Sequence, residues 1–172
     1  MDLWIARTWE GAELPMAHRA RLALVRQDSG LELTVEAPFH GDPPPPARPG
    51  PTDRLWEFEV VELFLAGPGP AAAVRYTEIE LSPYGHHLVL RFLGVRNAIE
   101  RALPLEFAAH REGARWHGRA WVPATYLPPA PWRVNAYALH GSGPARRHLA
   151  AHPVPGPHPD FHRPECFVPV AW

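Results

Sequence analysis

Glu78 and Glu80 are the residues of this chain best spaced for chemistry. They stand two apart in Tyr76-Thr77-Glu78-Ile79-Glu80-Leu81-Ser82-Pro83-Tyr84-Gly85. The alternation of apolar and polar residues predicts a strand, whose neighbouring side chains point to opposite faces. Tyr76, Glu78, Glu80 and Ser82 therefore share one face, and Thr77, Ile79 and Leu81 the other. Two carboxylates about 7 Å apart at the backbone fall within the separations used in inverting glycoside hydrolysis. Parallel neighbours on one strand cannot easily flank a bond from opposite sides, so the pattern suits binding better than bond cleavage.

Other residues extend this polar face. Glu62 lies among large apolar residues in Trp56-Glu57-Phe58-Glu59-Val60-Val61-Glu62-Leu63-Phe64. A carboxylate buried there needs a partner, because burial unpaired is costly. Arg91, on the next strand but one, is the candidate. Asn135 sits inside the run Trp132 to His140 against strand propensity, and such a misfit often marks a specific hydrogen bond. Sugars are held by flat aromatic faces and by planar polar groups that take pairs of hydroxyls. Trp56, Glu62, Tyr76, Glu78, Glu80, Arg91, Asn135 and His140 supply those types and form the candidate ligand site. For each tryptophan, Trp116 included, the competing role is the core.

A second constellation lies toward the C-terminus. His140, Asp160, His162 and Cys166 could meet as a metal or catalytic cluster, with Cys166 as nucleophile beside His140 or His162. His-x-x-x-Cys alone falls short of the four-ligand spacing of a structural zinc site. His86 and His87 point in opposite directions on a strand and do not suit one metal. All 17 basic residues other than His are Arg. The absence of Lys excludes Schiff-base chemistry on a side chain. No complete catalytic signature is present, and the residues predict neither a catalytic residue nor a cofactor.

Composition narrows the partners. The net charge of -1 gives no global attraction to nucleic acid or an anionic membrane. The longest apolar run is far short of a membrane span. Met1-Asp2-Leu3-Trp4 lacks the basic-then-apolar pattern of a secretory signal, and the single cysteine excludes an intrachain disulfide framework. A cytoplasmic protein is the expectation. Arg and Pro in place of Lys and amides fit either a GC-rich genome or heat tolerance.

The elements that must position these residues are short strands. Residues 2 to 9 predict a first strand anchored by Trp4 and Trp9. Ala20 to Arg26 and Leu31 to Ala37, joined by Asp28-Ser29-Gly30, form the clearest hairpin. Residues 38 to 53 hold seven prolines and cannot be helix or central strand. They are a stiff connection between sheets or a docking site for a proline-reading domain. Strands follow at 55–65, 76–82, 86–93, 104–110, 115–122 and 132–140. Val95 to Leu103 holds a helical turn or a loop, and Ala124 to Leu127 one helical turn. The Pro-rich tail, 151–169, packs along the outside, with Phe161, Phe167 and Trp172 as anchors. Many short strands with frequent turn signals predict an all-β antiparallel sandwich of jelly-roll type, one domain over residues 1–172 with little helix.

Four segments, read together, carry a family resemblance: Glu59-Val60-Val61-Glu62-Leu63-Phe64, Tyr76 to Gly85, Trp116-His117-Gly118-Arg119-Ala120-Trp121-Val122-Pro123, and Trp132 to Tyr137. They resemble the DOMON-like, type-9 carbohydrate-binding-module superfamily, and within it a small family of bacterial and animal proteins. Ser82-Pro83-Tyr84-Gly85-His86-His87, Ala138-Leu139-His140-Gly141-Ser142 and Pro159-Asp160-Phe161-His162 are its further marks. The resemblance covers roughly residues 55 to 167. It implies a β-sandwich with a concave, ligand-binding face, and relatives that bind sugars or haem. Calcium and haem enter as cofactors only through this analogy. Met1 and Met16 lie outside the matched segments, which argues against a Met/His haem site. The expected activity is non-catalytic binding of a saccharide or sugar-containing metabolite. Two alternatives stand beside it, an enzyme or metal protein using His140, Asp160, His162 and Cys166, and a protein–protein interaction module.

Overall fold

The computed structural model describes residues 1–154 and 156–170. Its described residues form thirteen strands and short 3₁₀ turns. The strands are β1 (Asp2–Ile5), β2 (Arg7–Thr8), β3 (Ala20–Gln27), β4 (Gly30–Pro38), β5 (Val60–Ala66), β6 (Arg75–Leu81), β7 (His87–Leu93), β8 (Ala98–Glu100), β9 (Glu106–Glu112), β10 (Arg115–Pro123), β11 (Arg133–His140), β12 (Arg147–Ala150) and β13 (Val168–Pro169). They build two antiparallel sheets. The first runs β1-β3-β4-β10-β9. The second runs β2-β12-β11-β5-β6-β7-β8, with β13 added beside β11. The all-β sandwich is as the strand patterns predict.

Between the sheets lies the main core. Leu22, Leu24, Leu33, Val35, Trp116 and Val122 of the first sheet face Val61, Leu63, Leu65, Ile79, Val89 and Val134 of the second. Period-2 alternation places each of these on the inner face. Trp116 is therefore core. The β3–β4 hairpin pairs Gln27 with Gly30. Gly30 is fixed by close approach, since a Cβ there would stand 2.3 Å from the Val122 carbonyl oxygen.

Several expectations are corrected. The predicted strand at 2–9 divides between the sheets, β1 joining the first and β2 the second. Leu3 and Ile5 are its buried anchors, whereas Trp4 is 46% exposed, because alternation sends it outward. The predicted strand at 55–65 begins only at Val60, and Leu55–Glu57 is a 3₁₀ turn. Within 95–103, Ala98–Glu100 pairs with β7 as a strand. The four-residue β12 was too short to show a pattern. The Pro-rich segment crosses from β4 in the first sheet to β5 in the second, as its stiffness suggested. Glu59 closes it by accepting hydrogen bonds from the His40 and Asp42 amides (2.9 and 3.2 Å). The predicted anchor Trp172 lies outside the described residues.

Candidate functional site

The second sheet is covered on both faces. Its outer face, away from the first sheet, carries a separate apolar cluster that includes Phe64, Tyr76, Leu88, Leu90, Phe92 and Tyr137. Strand register sets three acids among them. Glu62 of β5 stands opposite Glu80 of β6 and Tyr137 of β11. One step along, Glu78 stands opposite Phe64 and Leu90. Cross-strand and diagonal neighbours on one face are within side-chain reach. One oxygen from each of Glu62, Glu78 and Glu80 lies within 4.8 Å of the others.

This trio is buried, at 1%, 4% and 0% exposure for Glu62, Glu78 and Glu80. Neither Glu80 oxygen, nor Oε2 of Glu78, has a hydrogen-bond partner among the described residues. Buried carboxylates without partners favour their protonated form. Burial pushes Glu78 up to about 8, partly offset by the adjacent Glu80 carboxyl and by Arg101 and Arg96. Glu62 and Glu80 are raised well above the carboxylate range, first by burial and then by repulsion from the other acids.

Beside the trio opens a cavity of about 410 Å³. Trp56, Phe64, Phe92 and Phe161 provide aromatic walls, Glu62 and Glu78 the acid floor, and Arg96, Arg101, His148 and His162 polar sides. The tail supplies one wall, because Phe161 stacks on Tyr137 at 3.8 Å between ring centroids. Arg146 holds the Trp56 segment by donating to the Trp56 and Phe58 carbonyls.

A hydrogen-bond chain orients His162. The Arg96 amide donates to the Tyr76 hydroxyl at 2.8 Å. That hydroxyl therefore has its own proton free for His162 Nδ1, 2.9 Å away. The network assigns the remaining imidazole proton to Nε2, which faces Glu78 Oε2 at 3.8 Å, too long for a direct hydrogen bond. Burial, reinforced by Arg96, pushes His162 down to about 4. The imidazole is thus neutral beside a carboxyl that is largely protonated at neutral pH. The two are not an ion pair there. Burial also raises the Tyr76 hydroxyl to about 12, so it stays a donor.

Of the eight residues expected in the ligand site, Trp56, Glu62 and Glu78 line the cavity. Glu80 completes the acid trio, and Tyr76 acts through His162. Asn135 shares the face but is used internally. Its amide donates to the Tyr137 hydroxyl and the His152 carbonyl (both 2.8 Å), and its oxygen accepts from the Ala136 and His152 amides. The specific hydrogen bond read from its misfit is structural. Arg91 is corrected. It pairs with Glu100 and stands opposite Thr77, so alternation turns it away from Glu62. His140 is also corrected. It shares the parity of Val134, Ala136 and Ala138, and it stacks on His40 at 3.5 Å.

The second constellation does not assemble. Asp160 pairs with Arg96 at 2.7 Å, His162 contacts Tyr76 and Glu78, His140 lies on the opposite face, and Cys166 is a free, half-buried thiol. The residues do not fit a Met/His haem either. Met16 is exposed in the 3₁₀ turn Met16–His18, and Met1 packs on the inner core, across the sheet from His162. For calcium, which takes six to eight oxygens, the trio supplies the right donor type, but Phe64, Leu88 and Leu90 crowd it in place of further oxygens. Sequence reasoning missed Phe92, Arg96, Arg101 and His148. Phe92 was legible from its alternation with Leu88 and Leu90, whereas the other three required the tertiary fold.

An antiparallel sandwich with an acid-floored, aromatic-walled cavity on one sheet defines a class, and solved structures share its fold. One is a putative carbohydrate-binding protein from Bacteroides uniformis, with a TM-score of 0.68, 16% identity, and coverage of 87% of this chain and 76% of that one. Another is a carbohydrate-binding module of family 9 from Caldicellulosiruptor kristjanssonii in complex with glucose, with a TM-score of 0.51, 12% identity, and coverage of 77% and 66%. The chain itself belongs to the UPF0462 family. It is 41% identical to the C4orf33 homolog of Danio rerio over 97% of its length and 87% of that protein's. It is 40% identical to the human protein C4orf33 over 97% and 86%. No protein-family model matches the chain.

Proposed function

We propose that this protein binds a small saccharide or a sugar-containing metabolite in the cavity on the outer face of its second sheet, without chemically changing it. The observation that carries this reading is the pair of buried acids, Glu62 and Glu78, on the floor of an aromatic-walled cavity. Carboxyl groups there hydrogen-bond hydroxyl pairs, while Trp56 and Phe161 offer flat faces to ring C–H groups. The fold likeness to carbohydrate-binding proteins supports the same ligand class. It also supports placement in the DOMON-like superfamily. The acids lie on one side of the cavity, with oxygens within 4.8 Å of one another. Glycoside hydrolysis needs two carboxyl groups flanking the bond, so the arrangement favours binding over cleavage.

A thermal-shift screen of sugars, nucleotide sugars, haem and divalent cations tests the proposal. A ligand at one hundred times its dissociation constant stabilises by about 2.7 kcal/mol. A sugar shift that disappears in Glu78→Ala is expected. A sugar shift that survives unchanged in that variant moves the site elsewhere, and an absence of any sugar shift contradicts the reading.

A further inference from the structure

The outer face of the first sheet carries a different set of donors. His117 of β10 stands opposite His110 of β9. Both lie on the outward parity, opposite to Trp116 and Gly118. Their rings stack at 5.0 Å between centroids, 16° from parallel. Glu112, two residues beyond His110, points to the same face. One ligating atom from each of His110, Glu112 and His117 lies within 4.8 Å of the other two.

These donors are uncommitted. Among the described residues, none of the three side chains makes a hydrogen bond or an ion pair. The neighbouring charges are already satisfied. Arg115, opposite Glu112, pairs with Glu36 at 3.1 Å, Arg119, two residues beyond His117 on the same face, pairs with Glu32 at 2.9 Å, and Arg21 pairs with Asp2 at 2.8 Å. Two imidazoles and a carboxylate are the ligand set of borderline divalent metals. Nitrogen and oxygen donors about 2.1 Å from a tetrahedral zinc stand about 3.5 Å apart. Small rotations of the exposed His110 and Glu112 side chains close the remaining gap.

We propose that His110, Glu112 and His117 bind a divalent transition-metal ion of the zinc, cobalt or nickel type. Three protein ligands leave at least one coordination position open to water. The site spans β9 and β10, and β9 is the edge strand of its sheet. A bound ion clips that edge to its neighbour, as a cross-strand staple. The inference is independent of the sugar cavity, which lies on the other sheet.

The test is calorimetric titration of zinc and cobalt into metal-free, untagged protein near neutral pH. We expect one ion per chain, a cobalt absorption band indicating nitrogen ligation, and a raised melting temperature. His117→Ala should weaken binding at least tenfold, and Glu112→Gln several-fold. His110 and Glu112 are exposed and His117 is half-buried on the outer face, so the variants should stay close to the parent's metal-free melting temperature. That match separates a lost ligand from a lost fold. No binding overturns the proposal, and so does binding that persists unchanged in the His110→Ala/His117→Ala double variant.

Discussion

The two faces of the second sheet are both buried, yet they are built differently. Toward the first sheet, β5 and β6 present Val61, Leu63, Leu65, Ile79 and Leu81 in a mainly apolar core, with Thr77 and, opposite Leu81, the buried His87 as polar members. Away from it, the same strands present Glu62, Glu78 and Glu80 among Phe64, Tyr76 and Tyr137. Equal burial thus has opposite energetic meaning. On the inner face it contributes stability, at roughly 25 cal/mol for each Å² of apolar surface. For the acids of the outer face it costs stability, because they are removed from water without partners, whereas their apolar neighbours still gain from it. The proposed binding role would account for such a cost being kept beside a cavity.

Substitutions sharpen the contrast. Leu63→Ala, on the inner face, should be the most damaging, losing roughly 3 kcal/mol, or about 10 °C in midpoint for a chain of this size. Chemical denaturation checks it, and a loss below about 1 kcal/mol would show that the inner face is not the dominant core. Glu78→Ala, on the outer face, should leave the midpoint nearly unchanged while weakening sugar binding at least tenfold, as read by calorimetry. A collapse in stability would make Glu78 a structural residue.

The pH response separates the faces in another way. The folded chain keeps a proton on Glu78 up to about pH 8, whereas the free group releases it near 4.5. Between those values the native state holds more protons than the unfolded one. This group's contribution is therefore full below 4.5 and is lost as pH rises toward 8. Glu78→Gln, which cannot ionise, should show a smaller fall in melting temperature from about pH 6 to about pH 9. An identical fall in both proteins would mean that Glu78 does not titrate in this window.

Phe161→Ala removes one aromatic wall and should weaken binding by about 1 kcal/mol, or roughly five-fold. Arg91→Ala should leave sugar affinity unchanged, because Arg91 faces away from the acids. A tenfold loss there would reinstate it as a contact.

How much of this was legible from sequence depended on the reach of each interaction. The face shared by Tyr76, Glu78 and Glu80 follows from period-2 geometry alone, and so do the hairpin at Asp28-Ser29-Gly30 and the core position of Trp116. Glu62 was recognisable as a misplaced acid, but its neighbours were not. Arg91 was the nearest cation by strand count, and parity turned it to the wrong side. Arg96, Arg101 and Phe161 reach the cavity from turns and from the tail, which have no sequence period. His140 carried the right chemistry, but strand parity placed it on the far face.

The most direct measurement is an NMR titration of ¹⁵N-labelled protein with mono- and disaccharides. Saturable shifts are expected at the amides of Glu62, Glu78, Arg96 and His162, with the first sheet unmoved. Shifts confined to the first sheet, or none with any sugar, would contradict the proposed binding role.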